Sequence, residues 1–333
     1  MKSVKKASII FALLFCTLLI HKSFAQSPIT FKGENIIIGN SVSIMEDKST
    51  SLKIDDVQSS DNFVLSTSEA PGLPLSNSNF WLKFSIKNKS DRDHLILMIE
   101  NPTINTCEIY YRENGLYQKQ EVSTDQKFGN RRHRHQNVIF DLKIPIDSVQ
   151  TFYIKVNSTE QMILPIIISS SKNISNYILT HDTVWGILIG ILAVMVFYNL
   201  FLYLSTKDNS YLYYILYTAF TLLTQITLSG YTFKYIFYDY PLIYNKALVV
   251  FPGIAGIFGI IFIQSFLQTK SRTPQLNKAF IVSLVIYSAA VICRLAGLGT
   301  ISYRLIDIAA IFTIVVIYSV AIKIAMQGYR PAK

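Results

Sequence analysis

Cysteine is nearly missing from this chain. Of three in 333 residues, Cys16 lies in an N-terminal apolar stretch, while Cys107 and Cys293 fall in regions of opposite character. No intrachain disulfide is expected, so any exported domain must rest on its own apolar core. The three cysteines and five histidines never occur at metal-ligand spacing, and neither a metal nor a cofactor is expected. Also missing are a nucleophile-elbow serine, paired carboxylates in a recognisable context and a phosphate-cradling glycine loop, which leaves an enzyme reading without support. Acidic residues all but vanish from the C-terminal part: residues 181–333 hold 4 acidic and 11 basic residues, whereas residues 26–180 hold 17 and 16. The net charge of +10 therefore belongs to the first 25 residues and the C-terminal loops. The near-neutral middle has no electrostatic footprint for nucleic acid, which is excluded as a partner.

What is present divides the chain in two. Half of the residues are hydrophobic and the mean hydropathy is +0.33, too apolar for one soluble globule, yet the apolar runs are concentrated at the start and after residue 180. Residues 1–25 have the form of a secretory signal: Lys2, Lys5 and Lys6, an apolar core over 9–20, and Ser23 and Ala25 as the small residues before a cleavage at Gln26. The apolar stretch is about a dozen residues, short of the roughly 20 needed to span a bilayer.

Residues 26–175 read as an all-β domain, an antiparallel sandwich of short alternating segments punctuated by turn signals. In the clearest strand, residues 80–87, Phe80, Leu82, Phe84 and Ile86 share one face, with Trp81, Lys83, Ser85 and Lys87 on the other. Further strands are expected at 95–99, 107–111, 138–143, 152–156 and 163–168, and Asn114-Gly115 is a hairpin turn. Two features are candidate binding sites. Trp81, on an otherwise polar face, could stack on a sugar ring, although burial beneath a loop is the commoner fate of a large aromatic. The run Arg131, Arg132, His133, Arg134 and His135 could grip an anion by charge-assisted hydrogen bonds, with alternation placing Arg131, His133 and His135 on one side. A solvated or headgroup-facing basic loop is the bland alternative.

Residues 181–333 read as an all-α transmembrane helix bundle with spans near 184–204, 211–229, 247–267, 279–298 and 305–324. Lys207, Lys270, Arg272, Lys278, Lys323, Arg330 and Lys333 flank the ends expected to face the cytoplasm, against Lys234, Lys246 and Arg304 outside. This positive-inside bias agrees with the leader and puts the β domain in the periplasm or outside, the whole being a multi-pass protein of the bacterial inner membrane in contact with lipid. Five tyrosines with Phe233 and Phe237 in the outer loop suit an interfacial aromatic belt. Gly186 and Gly190, and the series Gly253, Gly256 and Gly259, mark close helix packing. Arg294 and Asp307 stand at similar depth near the outer ends of their helices, where an intramembrane ion pair is plausible.

The order of several short motifs carries a resemblance. Met45-Glu46-Asp47, Phe80-Trp81-Leu82-Lys83, Glu100-Asn101-Pro102 and Phe152-Tyr153-Ile154-Lys155-Val156 precede Phe197-Tyr198-Asn199-Leu200-Phe201 and Asp208-Asn209-Ser210-Tyr211-Leu212-Tyr213-Tyr214. Together they resemble the bacterial seven-transmembrane receptors with diverse intracellular signalling modules. The resemblance implies a jelly-roll sensor domain similar to carbohydrate-binding modules, which makes a saccharide one candidate ligand, and a helical relay to a cytoplasmic output. The basic run at 131–135 departs from the family pattern, where a single arginine follows a glycine and an aromatic. Residues 328–333 resemble the start of a sixth span, so two further apolar segments and an output domain are expected beyond them, or else a separate cytoplasmic signalling partner. A receptor is therefore expected, the alternative being a membrane-tethered carbohydrate-binding module without signalling.

Overall fold

The computed structural model describes residues 27–327. The expected leader with its cleavage before Gln26, and the expected onset of a sixth span at 328–333, lie outside these residues.

The N-terminal part is a sandwich of two sheets. Its strands are β1 (Ile29–Phe31), β2 (Ile36–Ile37), β3 (Ser43–Asp47), β4 (Val64–Leu65), β5 (Gly72–Leu73), β6 (Asn79–Asn88), β7 (His94–Ile99), β8 (Thr106–Glu113), β9 (Leu116–Ser123), β10 (Val138–Lys143), β11 (Val149–Asn157), β12 (Met162–Ile163) and β13 (Ile166–Ser169), with helix α1 (Ile54–Gln58) between β3 and β4. One sheet runs β4-β3-β6-β11-β8-β9, with β1 parallel to the far end of β6; the other runs β10-β7-β13-β2, and β5 with β12 forms a separate short ladder. Among the described residues only β1 pairs in parallel, so the body is the antiparallel jelly-roll sandwich expected.

The two-residue period decides what lies inside. Phe80, Leu82, Phe84 and Ile86 of β6 meet Phe152, Ile154 and Val156 of β11 on one inner face, opposite Leu95, Leu97 and Ile99 of β7 and Phe140 of β10. Each sheet also has a covered outer face. Trp81, Met45 and Tyr153 lie beneath Ile54 and Val57 of α1 and its flanks Leu52 and Phe63. On the other sheet Ile96, Met98, Ile139 and Ile167 are sealed by Ile174, Tyr177 and Ile178. That double burial explains why β7 reads Leu-Ile-Leu-Met-Ile rather than alternating.

The residues sealing the second face open a helix that continues into the membrane. Helix α2 (Ser171–Thr206) begins one residue after β13, with the Ser170 hydroxyl accepting from the Asn173 N–H as N-cap. It is followed by α3 (Asn209–Leu228), α4 (Tyr231–Tyr235), α5 (Pro241–Phe266), α6 (Thr269–Arg272), α7 (Pro274–Leu295) and α8 (Gly299–Met326). Helices α2, α5, α7 and α8 are long and apolar enough to cross a membrane. The second expected span falls on α3, which has the length, 20 residues, but is more polar; Thr218, Thr221, Thr224 and Thr227 return their hydroxyls to carbonyls four residues back. Val249 and Ile260 of α5, Phe280 and Tyr287 of α7, and Ala309, Val316 and Val320 of α8 form the bundle core. Helix α2 presents Val184, Ile187, Ile191, Val194 and Phe197 outward, an apolar flank suited to lipid.

The glycine expectations divide. A Cβ on Gly253 or Gly256 would strike Val291 or the Tyr287 ring, so this series does set the close approach of α5 and α7. A Cβ on Gly186 or Gly190 would meet nothing within 4 Å, so this pair does not set a close helix approach.

Candidate functional site

The sandwich is seated on the outer ends of the helices, and the seat holds Arg131, His135, Glu160 and Arg294, the buried ionisable side chains of the described residues apart from Asp47. At its centre, the loop between β11 and β12 lowers Glu160 onto the last turn of α7, where Arg294 meets it at 2.6 Å. Both side chains are sealed from solvent, 4% and 5% exposed. Arg294 also donates through Nε to the Asn245 carbonyl of α5 at 2.9 Å and through a terminal nitrogen to Thr159 Oγ1 at 3.5 Å. Asn245 in turn donates to Asp125 Oδ1 at 2.7 Å, tying α5 to the segment after β9. Burial pushes the Glu160 carboxyl up, against the pull of Arg294 and a hydrogen bond from Thr159. Arg294 therefore does not pair with Asp307, as the helices alone suggested. Asp307 is exposed on α8 and makes no ion pair among the described residues. The partner comes instead from the sandwich, beyond reach of any reading confined to the membrane half.

A second contact is aromatic. A 3-10 turn, Phe128–Asn130, places Arg131 with its guanidinium 5.2 Å from the ring centres of both Phe128 and Phe233 of α4. Its terminal nitrogen donates to the carbonyls of His135 and Gln136 at 3.0 and 2.9 Å. Desolvation in this apolar sandwich of rings lowers the Arg131 pKa to about 10, opposed by Tyr244. Gly129 is what allows the approach: a Cβ there would sit 2.7 Å from the Tyr238 hydroxyl. Gly230, in the left-handed region at φ +79°, makes the turn into α4 and passes close to Pro102 and Gln136. Phe233 stacks on Tyr244, and Tyr244 donates to the Pro102 carbonyl. The outer loop is thus an anchor for the sandwich as well as an interfacial belt; Phe233 and Tyr244 are buried, with Tyr235 and Tyr240 exposed.

The third contact is made by α2. Asp182 Oδ1 accepts from Gln136 Nε2 at 3.0 Å and from the Tyr231 hydroxyl at 2.6 Å. Glu100 accepts from the Tyr177 hydroxyl at 2.9 Å and lies 3.0 Å from His181 Nε2. His135 is buried nearby, and desolvation drives its pKa down to about 4, with Asp182 opposing and Lys234, Arg131 and His181 reinforcing.

The basic run is therefore divided, not assembled. Alternation holds in burial, since Arg131 and His135 point inward, His133 is half-buried, and Arg132 and Arg134 are exposed. Its members have different partners: Arg132 and His133 pair with Asp141 at 2.7 and 3.0 Å, while Arg131 and His135 belong to the seat. Only Arg134 has no ionic or hydrogen-bonded partner among the described residues. Trp81 is 1% exposed and its indole N–H is unpartnered, so the covering segment removes it as a sugar platform. Sequence reasoning missed Glu160, Asp125, Glu100 and Asp182; the signal available was the Phe128-Gly129 pair ahead of Arg131, which marks a backbone held close to something.

Away from the seat, the sandwich carries a trough of about 440 Å³ between β8, β9 and β10, lined by Tyr111, Arg112, Gln120, Arg132, Asp141 and Lys143 among others. Among the described residues no group of three His, Cys, Asp or Glu could hold a metal ion.

A β-sandwich bonded through buried charge to a bundle of membrane-length apolar helices defines a multi-pass membrane protein with a domain outside the bilayer. Two family models match. One, described as 7TMR-DISM extracellular 2, covers residues 39–170, and the other, 7TM diverse intracellular signalling, covers residues 181–333. Between them they take in most of the chain, which belongs to this family of seven-transmembrane receptors with diverse intracellular signalling modules. No curated protein matches the chain. It is a multi-pass inner-membrane receptor with its sandwich in the periplasm.

Proposed function

We propose that the sandwich binds a polar periplasmic ligand in the trough beside Arg132, and that binding shifts how the sandwich sits on the helices. The bundle, with α3 as a fifth span, passes that shift to a cytoplasmic partner or output domain. The observation that carries the reading is the sealed Glu160–Arg294 pair: a passive tether needs no buried charge crossing between its two parts, because such a pair costs several kcal/mol of desolvation per ion. A ligand can shift the equilibrium only by its differential affinity for the two seatings.

The trough's chemistry suits a hydroxylated or anionic ligand. It offers a tyrosine face, three amides, the basic side chains of Arg112, Arg132 and Lys143 with His94, and the carboxylates of Glu113 and Asp141, groups that hydroxylated and acidic saccharides engage by stacking and charge-assisted hydrogen bonds. The test is thermal unfolding of the full chain in detergent against a panel of neutral and acidic oligosaccharides. Ligand at a hundred times its dissociation constant should raise the midpoint of the sandwich transition by roughly 5–10 °C. Tyr111→Ala and Arg112→Ala should abolish the rise without lowering the unliganded midpoint by more than a few degrees. No shift with any saccharide would reject the carbohydrate reading; a shift that survives both substitutions would place the ligand elsewhere.

A further inference from the structure

A separate cavity of about 340 Å³ opens where α2, α3 and α4 meet at the outer membrane interface. Its deep wall is apolar, formed by Ile189 of α2 and Ile226 of α3. Its upper end is polar and has one charge, Asp182. Both protein hydrogen bonds to that carboxylate go to Oδ1, leaving Oδ2 with no partner and Asp182 without an ion pair among the described residues. Thr232 lines the same end; it is 1% exposed and its hydroxyl is unpartnered. Tyr231 and Tyr235, their rings stacked at 6.4 Å, form the rim. Gly186 also lines the cavity, and a Cβ there would meet nothing within 4 Å.

A half-buried carboxylate at a membrane surface calls for a cation, and the protein supplies none within the cavity. We propose that the cavity holds the headgroup of an aminophospholipid, its protonated amine donating to Asp182 Oδ2 and Thr232 Oγ1 beside the tyrosine rings. Tyrosine faces add cation–π attraction for an ammonium. The acyl chains lie along Ile189 and Ile226 and continue over the exposed apolar flank of α2. Lys234, between Thr232 and Tyr235 in sequence and with its ammonium 5.0 Å from the Tyr235 ring, supplies the opposite charge for the phosphate. An anionic lipid would bring its phosphate or glycerol toward Asp182 with no cation to offset the carboxylate. A soluble amine would satisfy the polar end and leave the apolar wall in water.

The experiment is native mass spectrometry of the detergent-purified full chain titrated with phosphatidylethanolamine, phosphatidylglycerol and free ethanolamine. Phosphatidylethanolamine should bind at least about tenfold more tightly than phosphatidylglycerol, the ratio expected for one partly buried ionic contact. Asp182→Asn should bring that ratio close to one. Because Asp182 also anchors Gln136 and Tyr231, a second variant guards against misfolding: Gly186→Leu fills the cavity from a position that touches neither bond, and should weaken phosphatidylethanolamine binding with the melting temperature kept. Equal affinity for the two lipids, or phosphatidylethanolamine binding unchanged in Gly186→Leu, overturns the proposal. Free ethanolamine binding as tightly as the lipid would overturn the lipid assignment.

Discussion

Removing either half of the Glu160–Arg294 pair should be far more damaging than removing both. At 2.6 Å the pair's gross attraction is on the order of 6 kcal/mol at an effective dielectric near 20, and it is largely offset by the desolvation of two sealed ions. The intact pair therefore adds little net stability, whereas a stranded partner costs about 3–5 kcal/mol. Arg294→Met leaves Glu160 buried among Thr159, Ser158 and the end of α7. Glu160→Gln leaves the guanidinium with the Asn245 carbonyl and no counter-charge. The assay is denaturation of the full chain in micelles, followed by Trp81 in the sandwich and Trp185 on α2. Each single change should lower the seated population by more than a hundredfold, about 3 kcal/mol, and the double change should recover about 2 kcal/mol of the summed loss. The pH dependence adds a signed test. In Arg294→Met the folded-state pKa of Glu160, already raised by burial, loses the group that opposed the rise. A carboxyl raised on folding contributes stability below its unfolded pKa and loses it as pH rises through the folded value, so the variant's deficit should shrink on acidification. Double-mutant energies that add to within about 0.5 kcal/mol, with no pH dependence, would show that the two charges do not depend on each other.

His135 gives a second acid effect of opposite sign. Its folded pKa of about 4 lies below the ordinary 6.5, so stability present above pH 6.5 is lost between there and pH 4, up to about 3 kcal/mol, and His135→Gln should flatten this part of the profile. Cys107 is fully buried, and burial pushes its thiol pKa far up, so alkylation by iodoacetamide should require denaturant and the melting temperature should be indifferent to reductant. Gly256→Ala puts a Cβ 2.4 Å from the Tyr287 ring and should destabilise the bundle by about 1–3 kcal/mol in micelle denaturation. Gly190→Ala, where the space is open, should be tolerated in the same assay.

Most of the fold was legible because its signals are periodic. Phe80, Leu82, Phe84 and Ile86 announce an inner face at two-residue spacing, and helices α2, α5, α7 and α8 follow from length and hydropathy alone. The seat was not legible because its partners are far apart in sequence: Glu160 meets Arg294 across 134 residues, and Arg131 meets Phe233 across 102. Charge counting proposed Asp307 as the arginine's partner since it considered only groups in the same phase, and a loop descending from the sandwich supplied a nearer carboxylate. Trp81 was ambiguous for a related reason. A strand's outer face looks polar when Lys83 and Ser85 share it, and the segment of α1 that covers the tryptophan has too little periodicity to reveal where it lies.

Helix α2 has no hinge. It runs 36 residues without a proline, roughly 54 Å at 1.5 Å per residue, from the cap at Ser170 to Thr206. Its first turns are cemented to the outer face of the second sheet by Ile174 and Tyr177, and Asn173 donates to the Gly33 carbonyl at 2.9 Å. The strand–helix joint is one residue long, so there is no slack for a motion to disappear into. A tilt of about 5° at the sheet displaces the far tip by roughly 5 Å, close to one helical turn. Geometry alone thus converts a small rocking in the periplasm into a large sideways step at the opposite surface of the membrane.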